Sequence, residues 1–314
     1  MQEHTTPQVD TTSQVDTTSQ VPQVPDVPRV QLDDGVAIPR VGFGTFQIPP
    51  ADTQRAVEEA LEIGYRHIDT AAAYYNEAGV GAAIRASGLP AQDVFVTTKL
   101  RNADQGAERA REAFEASRRA LGREVIDLYL IHWPLPSEDL YVDTWRVLAE
   151  LAEQGAVRAI GVSNFLPEHL ERLVVETGVT PAVNQVEVHP RFSQPEVRRA
   201  SLRRGVAVEA YSPLGQGADL RDPVVTGIAQ RLGVTPAQVV LRWHVQSGRI
   251  VIPKSVHPQR MRENLAVTGF DLAPGDIAAI DALDTPGGRI GGDPATFAFP
   301  QTLEDAAARG EGLD

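Results

Sequence analysis

Cysteine is absent from the 314-residue chain. That excludes disulfide bridges, thiolate zinc sites, iron–sulfur ligation and a cysteine nucleophile together. Lysine is nearly absent too: among 29 Lys and Arg residues, only Lys99 and Lys254 are lysine. Acidic residues predominate, 42 Asp and Glu against 29 Lys and Arg. The formal net charge is −13, which argues against a nucleic-acid partner, because binding a phosphate backbone needs a basic face. No run approaches the roughly 18 apolar residues of a membrane span. The opening MQEHTTPQVD has neither the basic start nor the apolar stretch of a signal peptide. The expectation is a cytoplasmic protein with no membrane partner, and nothing in the chain demands more than a monomer.

What is present falls into three parts. In residues 1–28 the hexapeptide VDTTSQ occurs at Val9–Gln14 and again at Val15–Gln20, followed by VPQ, VPD and VPR from Val21 to Arg29. Such a tract has too little apolar surface to offset chain ordering, so it reads as a disordered tail. A hexapeptide solenoid is the alternative, but two copies cannot bury a core. Residues 29–285 read as one folded domain, and residues 286–314 as a tail of Gly, Asp and Ala that folds partly over the domain and is otherwise mobile.

The folded part opens with a hairpin, Val30–Leu32 and Val36–Ile38 around Asp33-Asp34-Gly35. Eight short β-branched runs follow: Val41–Phe46, His67–Thr70, Val94–Lys99, Ile126–His132, Arg158–Ser163, Val183–Val188, Val206–Tyr211 and Ile250–Pro253. Segments with helical spacing separate them, among them Thr53–Ile63, Glu77–Ala86, Ala107–Leu121, Leu140–Gln154 and Pro236–Gln246. Strands alternating with helices imply a parallel sheet, and eight units imply a closed (β/α)8 TIM barrel. A doubly wound sheet is the competing arrangement. Gly79-Val80-Gly81 resembles a dinucleotide fingerprint, but it lacks the third glycine and sits inside a helix, so no Rossmann unit follows.

A barrel places chemistry at the C-terminal ends of its strands. Those ends carry Asp69 with Tyr74 and Tyr75, Lys99, His132, Ser163 and Asn164, Gln185 to His189, Tyr211 and Ser212, and Lys254 with Ser255. Both lysines of an arginine-rich chain fall there. A lysine ammonium beside a phenol favours phenolate, and a carboxylate beside the lysine keeps it charged. The phenol then serves as a general acid. Spacing alone does not choose between Tyr74 and Tyr75. Two other chemistries compete: a Schiff base on Lys99, and a divalent metal on Asp69, His132, Glu187 and His189. Neither needs the segment Lys254-Ser255 followed by a helix start near Pro258 with Arg260, which reads as a phosphate clamp.

The tracts GYRHIDTAAAYYNEAGVG (Gly64–Gly81), TTKL, IHWP, GVSNF, NQVEVHP, AYSPLGQG and IPKSVHPQRMRENL resemble the aldo-keto reductase superfamily over Val30–Leu283. Within it, ADTQRAVEEALEIGYRHIDTAA, PLGQG and LRWHVQSG are similar to the bacterial 2,5-diketo-D-gluconate reductases. The resemblance implies NADPH as cofactor and a small carbonyl compound (an aldehyde, ketone or keto-sugar acid) as substrate. It implies a catalytic tetrad of Asp69, Tyr74, Lys99 and His132, with Tyr74 at the motif position. Ser163, Asn164 and Gln185 would hold the carboxamide, and Tyr211 would stack on the nicotinamide. Ser212, Leu214, Gly215 and Gln216 would follow the pyrophosphate. Lys254, Ser255 and Arg260 would meet the 2′-phosphate, Glu263 and Asn264 the adenine end, with Val256 also bordering the cofactor. Gly44, Thr45, Phe46 and Asp69 would border the cofactor from the first two strands. His257 departs from the Thr or Arg often found in relatives. Phe46, Gln47, Trp133 and Arg101 would join Tyr74 and His132 around the substrate, Arg101 either meeting a substrate carboxylate or sitting solvated. The alternative within the resemblance is a nucleotide-binding regulatory barrel similar to potassium-channel β-subunits.

Overall fold

A computed structural model describes Met1, residues 27–32 and residues 35–302. The VDTTSQ repeats, the centre of the hairpin turn at 33–34, and residues 303–314 lie outside the described residues. The strands β1 (Arg29–Gln31) and β2 (Ala37–Pro39) pair antiparallel, with Val30 opposite Ile38. Gly35, on the way back into β2, has φ 82°, a backbone conformation that glycine adopts without a Cβ clash.

Eight parallel strands follow, β3 (Phe43–Gly44), β4 (His67–Asp69), β5 (Phe95–Leu100), β6 (Ile126–Ile131), β7 (Val157–Ser163), β8 (Val183–Glu187), β9 (Ala207–Tyr211) and β10 (Ile250–Val251). They lie side by side in chain order. Main-chain bonds close the ring. Gly42 N donates to Val251 O at 2.8 Å, Val251 N to Arg40 O at 2.9 Å, and Gly44 N to Pro253 O at 3.3 Å. A Cβ on Gly44 would lie 2.7 Å from the Ile252 carbonyl oxygen, so glycine is what lets the first and last strands meet. Unreversed strand order and this closure make the sheet a barrel and set aside the doubly wound alternative.

The surrounding helices, among the described residues, are α1 (Pro50–Ile63), α2 (Glu77–Ala86), α3 (Ala107–Leu121), α4 (Tyr141–Glu153), α5 (Pro167–Thr177), α6 (Pro195–Leu202), α7 (Pro223–Leu232), α8 (Pro236–Gln246), α9 (Pro258–Leu265) and α10 (Pro274–Asp281). In α3 the buried residues Ala110, Phe114, Ser117 and Leu121 recur at helical spacing, and Gly122 at φ 65° ends it. No helical periodicity in the sequence marks α10. Its one buried residue is Ile280, so it carries no apolar stripe for a pattern to reveal. None of these helices is long and apolar enough to cross a membrane.

The strands alternate over most of their length, with Ile126 and Val157 at the starts of β6 and β7 as exceptions. Ile68, Val96, Tyr129, Ile131, Ile160, Val162, Val186 and Val208 face outward into the layer shared with the helices. The inward set is graded along the barrel axis. Phe95, Leu128, Leu130, Ala159, Val183 and Ile250 form an apolar floor, sealed by Leu32, Val36 and Ile38 of the hairpin segment. Above that floor the inward positions turn polar: His67 and Asp69, Thr97 and Lys99, Gln185, and Glu209, all buried.

Candidate active site

The polar upper half of the barrel interior and its rim form the site. Asp69 ends β4. A 3-10 turn over Ala72–Tyr74 follows, and Tyr75 leaves it in the left-handed region at φ 55°. Asn76 fastens this loop, its Nδ2 donating to the carbonyl oxygens of Thr45 (3.0 Å) and Ile48 (3.2 Å) while Oδ1 accepts from Thr70 Oγ1 at 2.8 Å. The turn thereby presents Tyr74 inward.

Lys99, on β5, is fully buried. Its Nζ donates to Asp69 Oδ1 at 2.7 Å and to the Thr70 carbonyl at 2.8 Å, and lies 3.4 Å from the Tyr74 hydroxyl. Burial alone would depress the lysine pKa, but the Asp69 carboxylate outweighs it and holds the group above its ordinary value. Both Asp69 oxygens accept, Oδ1 from Lys99 and Oδ2 from Gln185 Nε2 at 2.7 Å, so it is the carboxylate of an ion pair although burial pushes its pKa up. A permanently charged, carboxylate-bound ammonium is unsuited to Schiff-base formation, which needs a free amine.

His132 follows β6. Its ring meets that of Tyr74 edge-on at 5.8 Å between centroids. Burial, with Lys99 adding to it, drives the imidazole pKa well below its ordinary value, so it is neutral. The four residues Asp69, Tyr74, Lys99 and His132 thus share one locus. Glu187 and His189, the other members of the metal-site alternative, associate instead with Asp219, His189 bridging Glu187 Oε1 at 3.1 Å and Asp219 Oδ2 at 2.7 Å. Among the described residues no three His, Asp or Glu side chains are gathered as metal ligands.

The rim residues sit around this centre. Ser163 Oγ donates to the Gln185 carbonyl at 2.8 Å. Asn164 Nδ2 donates to the His132 carbonyl at 3.0 Å, and its Oδ1 accepts from the Tyr211 hydroxyl at 2.9 Å. After β9 the chain crosses the rim with Ser212, Gly215 and Gln216 all at positive φ, and Leu214 half-buried. Lys254, Val256 and Arg260 are exposed at the other side, where Ser255 Oγ accepts from the His257 amide at 3.1 Å just before α9. Asn264 is buried on α9, and Glu263 accepts from Gln259 at 3.0 Å. Thr45, next to Gly44, donates through Oγ1 to the Asp69 carbonyl at 3.0 Å.

On the substrate side Phe46 and Gln47 are exposed, with the Phe46 ring 5.1 Å from that of Tyr74. Trp133 stacks on Phe297 at 3.9 Å. Arg101 is tied to its protein neighbours and stays part-exposed. Its guanidinium is held by both oxygens of Asp104, at 2.8 and 3.1 Å, and donates to the Tyr75 hydroxyl at 3.2 Å. Besides Phe297 on Trp133 and the Gln301 side chain, which accepts from the Asn102 amide, the described tail is fastened largely through its main chain, which a Gly/Asp-rich sequence does not reveal. The amides of Ile290 and Gly291 each donate to Glu187 at 2.7 Å, and Ala103 N donates to the Pro300 carbonyl at 2.9 Å. Two buried acids also went unsingled in the sequence reading. Glu77 accepts from Thr98 and Ser117, joining α2, β5 and α3, and Glu209 accepts from Gln185 Nε2 at 2.8 Å.

The profile of the Aldo/keto reductase family matches residues 40–285. The chain belongs to this family. An aldo-keto reductase of Mycolicibacterium smegmatis is 55% identical over 271 residues, covering 86% of this chain and 98% of that protein. The methylglyoxal reductase DkgA of Yersinia pestis is 46% identical over 270 residues, covering 85% and 96%. Among solved structures, a mutant of Gox0644 in complex with NADPH superposes with a TM-score of 0.85 at 46% identity, covering 88% of this reductase and 100% of that chain. The family's eight-stranded barrel is therefore the fold of this reductase as well.

Proposed function

We propose that this chain is an NADPH-dependent carbonyl reductase for small aldehydes, ketones or keto-sugar acids, with Tyr74 as the proton donor. The observation that carries the reading is the buried row Asp69–Lys99–Tyr74, with separations of 2.7 and 3.4 Å. A cationic amine beside a phenol is of use where the phenol gives up a proton, because the ammonium stabilises the phenolate left behind.

The residues present fit the cofactor. Both Gln185 amide hydrogens are committed to carboxyl groups, so the side chain has an acceptor, Oε1, left for a carboxamide NH2. Tyr211 is pinned by Asn164 at the mouth, where its ring can cover a nicotinamide. Lys254 and Arg260 are exposed cations on one rim segment of a chain with net charge −13, a placement suited to a phosphate ester. When bound, NADPH supplies the hydride that reduces the carbonyl carbon.

The chain's own residues do the rest. Tyr74 gives its hydroxyl proton to the carbonyl oxygen. Lys99 stabilises the resulting phenolate and is kept charged by Asp69. His132, being neutral, donates an N–H to the same oxygen and offsets the charge that develops on it. Phe46, Trp133 and Phe297 flank the mouth and restrict water. The similarity to a methylglyoxal reductase supports activated dicarbonyls as substrates. The test is a panel of carbonyl compounds, methylglyoxal included, assayed by loss of NADPH and NADH absorbance in parallel. Turnover of an α-dicarbonyl with NADPH is expected. Absence of NADPH oxidation across the panel would remove the reading and favour a regulatory nucleotide-binding barrel.

A further inference from the structure

Behind the tetrad lies a second carboxyl group that the proton-donor scheme leaves unused. Glu209 on β9 is fully buried and stands in register with Gln185 on β8. Gln185 Nε2 spends one hydrogen on Asp69 Oδ2 at 2.7 Å and the other on Glu209 Oε2 at 2.8 Å. One amide nitrogen therefore bridges two acids.

The charges around this bridge do not balance if both acids are ionised. The charged or titratable groups facing Glu209 are Asp69 and His67 from β4 and Lys99 from β5, while Gln185 from β8 is neutral. Lys99 is one ammonium for two carboxyls. His67 contributes no charge, since burial, aided by Lys99, drives its pKa down to about 3. A second bare carboxylate in a buried interior is costly, and the usual outcome is that one acid keeps its proton.

Donor count shows which acid that is. Asp69 receives a donor on each oxygen. Glu209 receives one only. Among the described residues its Oε1 has no hydrogen-bond partner, and it lies 3.6 Å from His67 Nε2. A carboxylate would need donors on both oxygens, whereas a neutral acid needs none on the oxygen that bears its hydrogen, and that oxygen faces the neutral His67 imidazole. We propose that Glu209 is a positioning residue which, as a neutral acid, anchors Gln185 against Asp69 and leaves the Lys99 ammonium undivided in its support of Tyr74. Burial and the neighbouring Asp69 charge push the Glu209 pKa up to about 8, against the opposing pull of Gln185 and Lys99. Ionisation adds a negative charge behind Asp69, weakens the positive potential at the Tyr74 hydroxyl, and slows proton donation.

The proposal rests on the proton-donor reading above. The test compares the pH dependence of kcat for carbonyl reduction in wild type and Glu209→Gln, each scaled to its own acid-side plateau. Wild type is expected to fall on the order of tenfold through about pH 8, ahead of the loss caused by Tyr74 itself, and the variant to lack that first step. Superimposable profiles would overturn the proposal. Infrared difference spectroscopy on the wild-type protein supplies a readout that needs neither turnover nor a folded variant. A carbonyl band of a buried protonated acid should be present at about pH 6 and lost by about pH 10. Its absence at the lower pH would also overturn the proposal. If Tyr74→Phe turns over normally, the proton-donor reading itself fails. If Tyr74→Phe is inactive while the Glu209→Gln profile matches wild type, only the assignment of Glu209 falls.

Discussion

Lys99 Nζ lies 2.7 Å from Asp69 Oδ1, and neither side chain exposes more than 3% of its surface. Taking two charges out of water costs several kcal/mol per ion, so this pair is not there for stability. An apolar pair of similar volume would fill the same space. The pair makes sense as a device that keeps a cation next to a hydroxyl in a buried site.

The energetics of that pair are directly testable. Lys99→Met leaves the Asp69 carboxylate buried without its cation, and should cost about 3–5 kcal/mol of unfolding free energy. Adding Asp69→Asn should recover most of that loss while leaving the protein inactive. Urea unfolding of the two variants checks this. A double variant less stable than Lys99→Met would contradict the assignment of a charged pair.

Tyr75 separates the two adjacent phenols by function. Its hydroxyl donates to the Gln301 carbonyl at 3.0 Å and accepts from Arg101, so it ties down the tail. Tyr75→Phe should lose about 1 kcal/mol of stability and keep kcat within about twofold. Loss of turnover in this variant would mean that the wrong tyrosine has been placed at the centre.

The cofactor rim predicts a selective effect. Arg260→Ala should raise KM for NADPH by on the order of tenfold or more and hardly alter KM for NADH, because a charge-assisted contact to the extra phosphate is what it removes. Parallel steady-state kinetics decide the matter. Equal changes for both nucleotides would show that the phosphate is not read there.

His189 links Glu187, which holds the tail at Ile290 and Gly291, to Asp219 on the loop after β9. Burial alone would lower its pKa, but hydrogen bonds and charges from Asp219 and Glu187 raise it to about 9. The folded state thus binds this proton more tightly than the unfolded chain. Its stabilisation, roughly 3 kcal/mol for a shift of this size, is fully present below about pH 6.5 and is lost as pH rises through about 9. In His189→Gln that decline in the urea midpoint between about pH 6.5 and pH 9 should disappear. An unchanged decline would place its origin elsewhere.

Much of the barrel was legible because its strands are short β-branched runs ending in polar residues. Ile126–Ile131 and Val183–Glu187 differ from expectation by one residue at most. The helices Glu77–Ala86 and Pro236–Gln246 match throughout. The opening and closing strands β3 and β10 are shorter than expected, two residues each, because they meet where the ring closes and Gly44 and Pro253 limit regular pairing. Clustering of Asp69, a tyrosine, Lys99 and His132 was readable from positions at successive strand ends, while Tyr74 rather than Tyr75 was implied by the family resemblance. The bridge from Asp69 through Gln185 to Glu209 was not, since it depends on the register of β8 against β9. The anchoring contacts of the tail were also hidden, because Ile290 and Gly291 engage Glu187 through main-chain amides, which leave no trace in side-chain chemistry.

The central claim is that the Tyr74 hydroxyl is the proton source, and Tyr74→Phe tests it most directly, since it removes one oxygen atom and leaves the ring in place. NADPH binding, followed by quenching of tryptophan fluorescence, should stay within about threefold of wild type, while kcat for methylglyoxal reduction should fall by at least about a hundredfold. Turnover comparable to wild type in that variant would contradict the account.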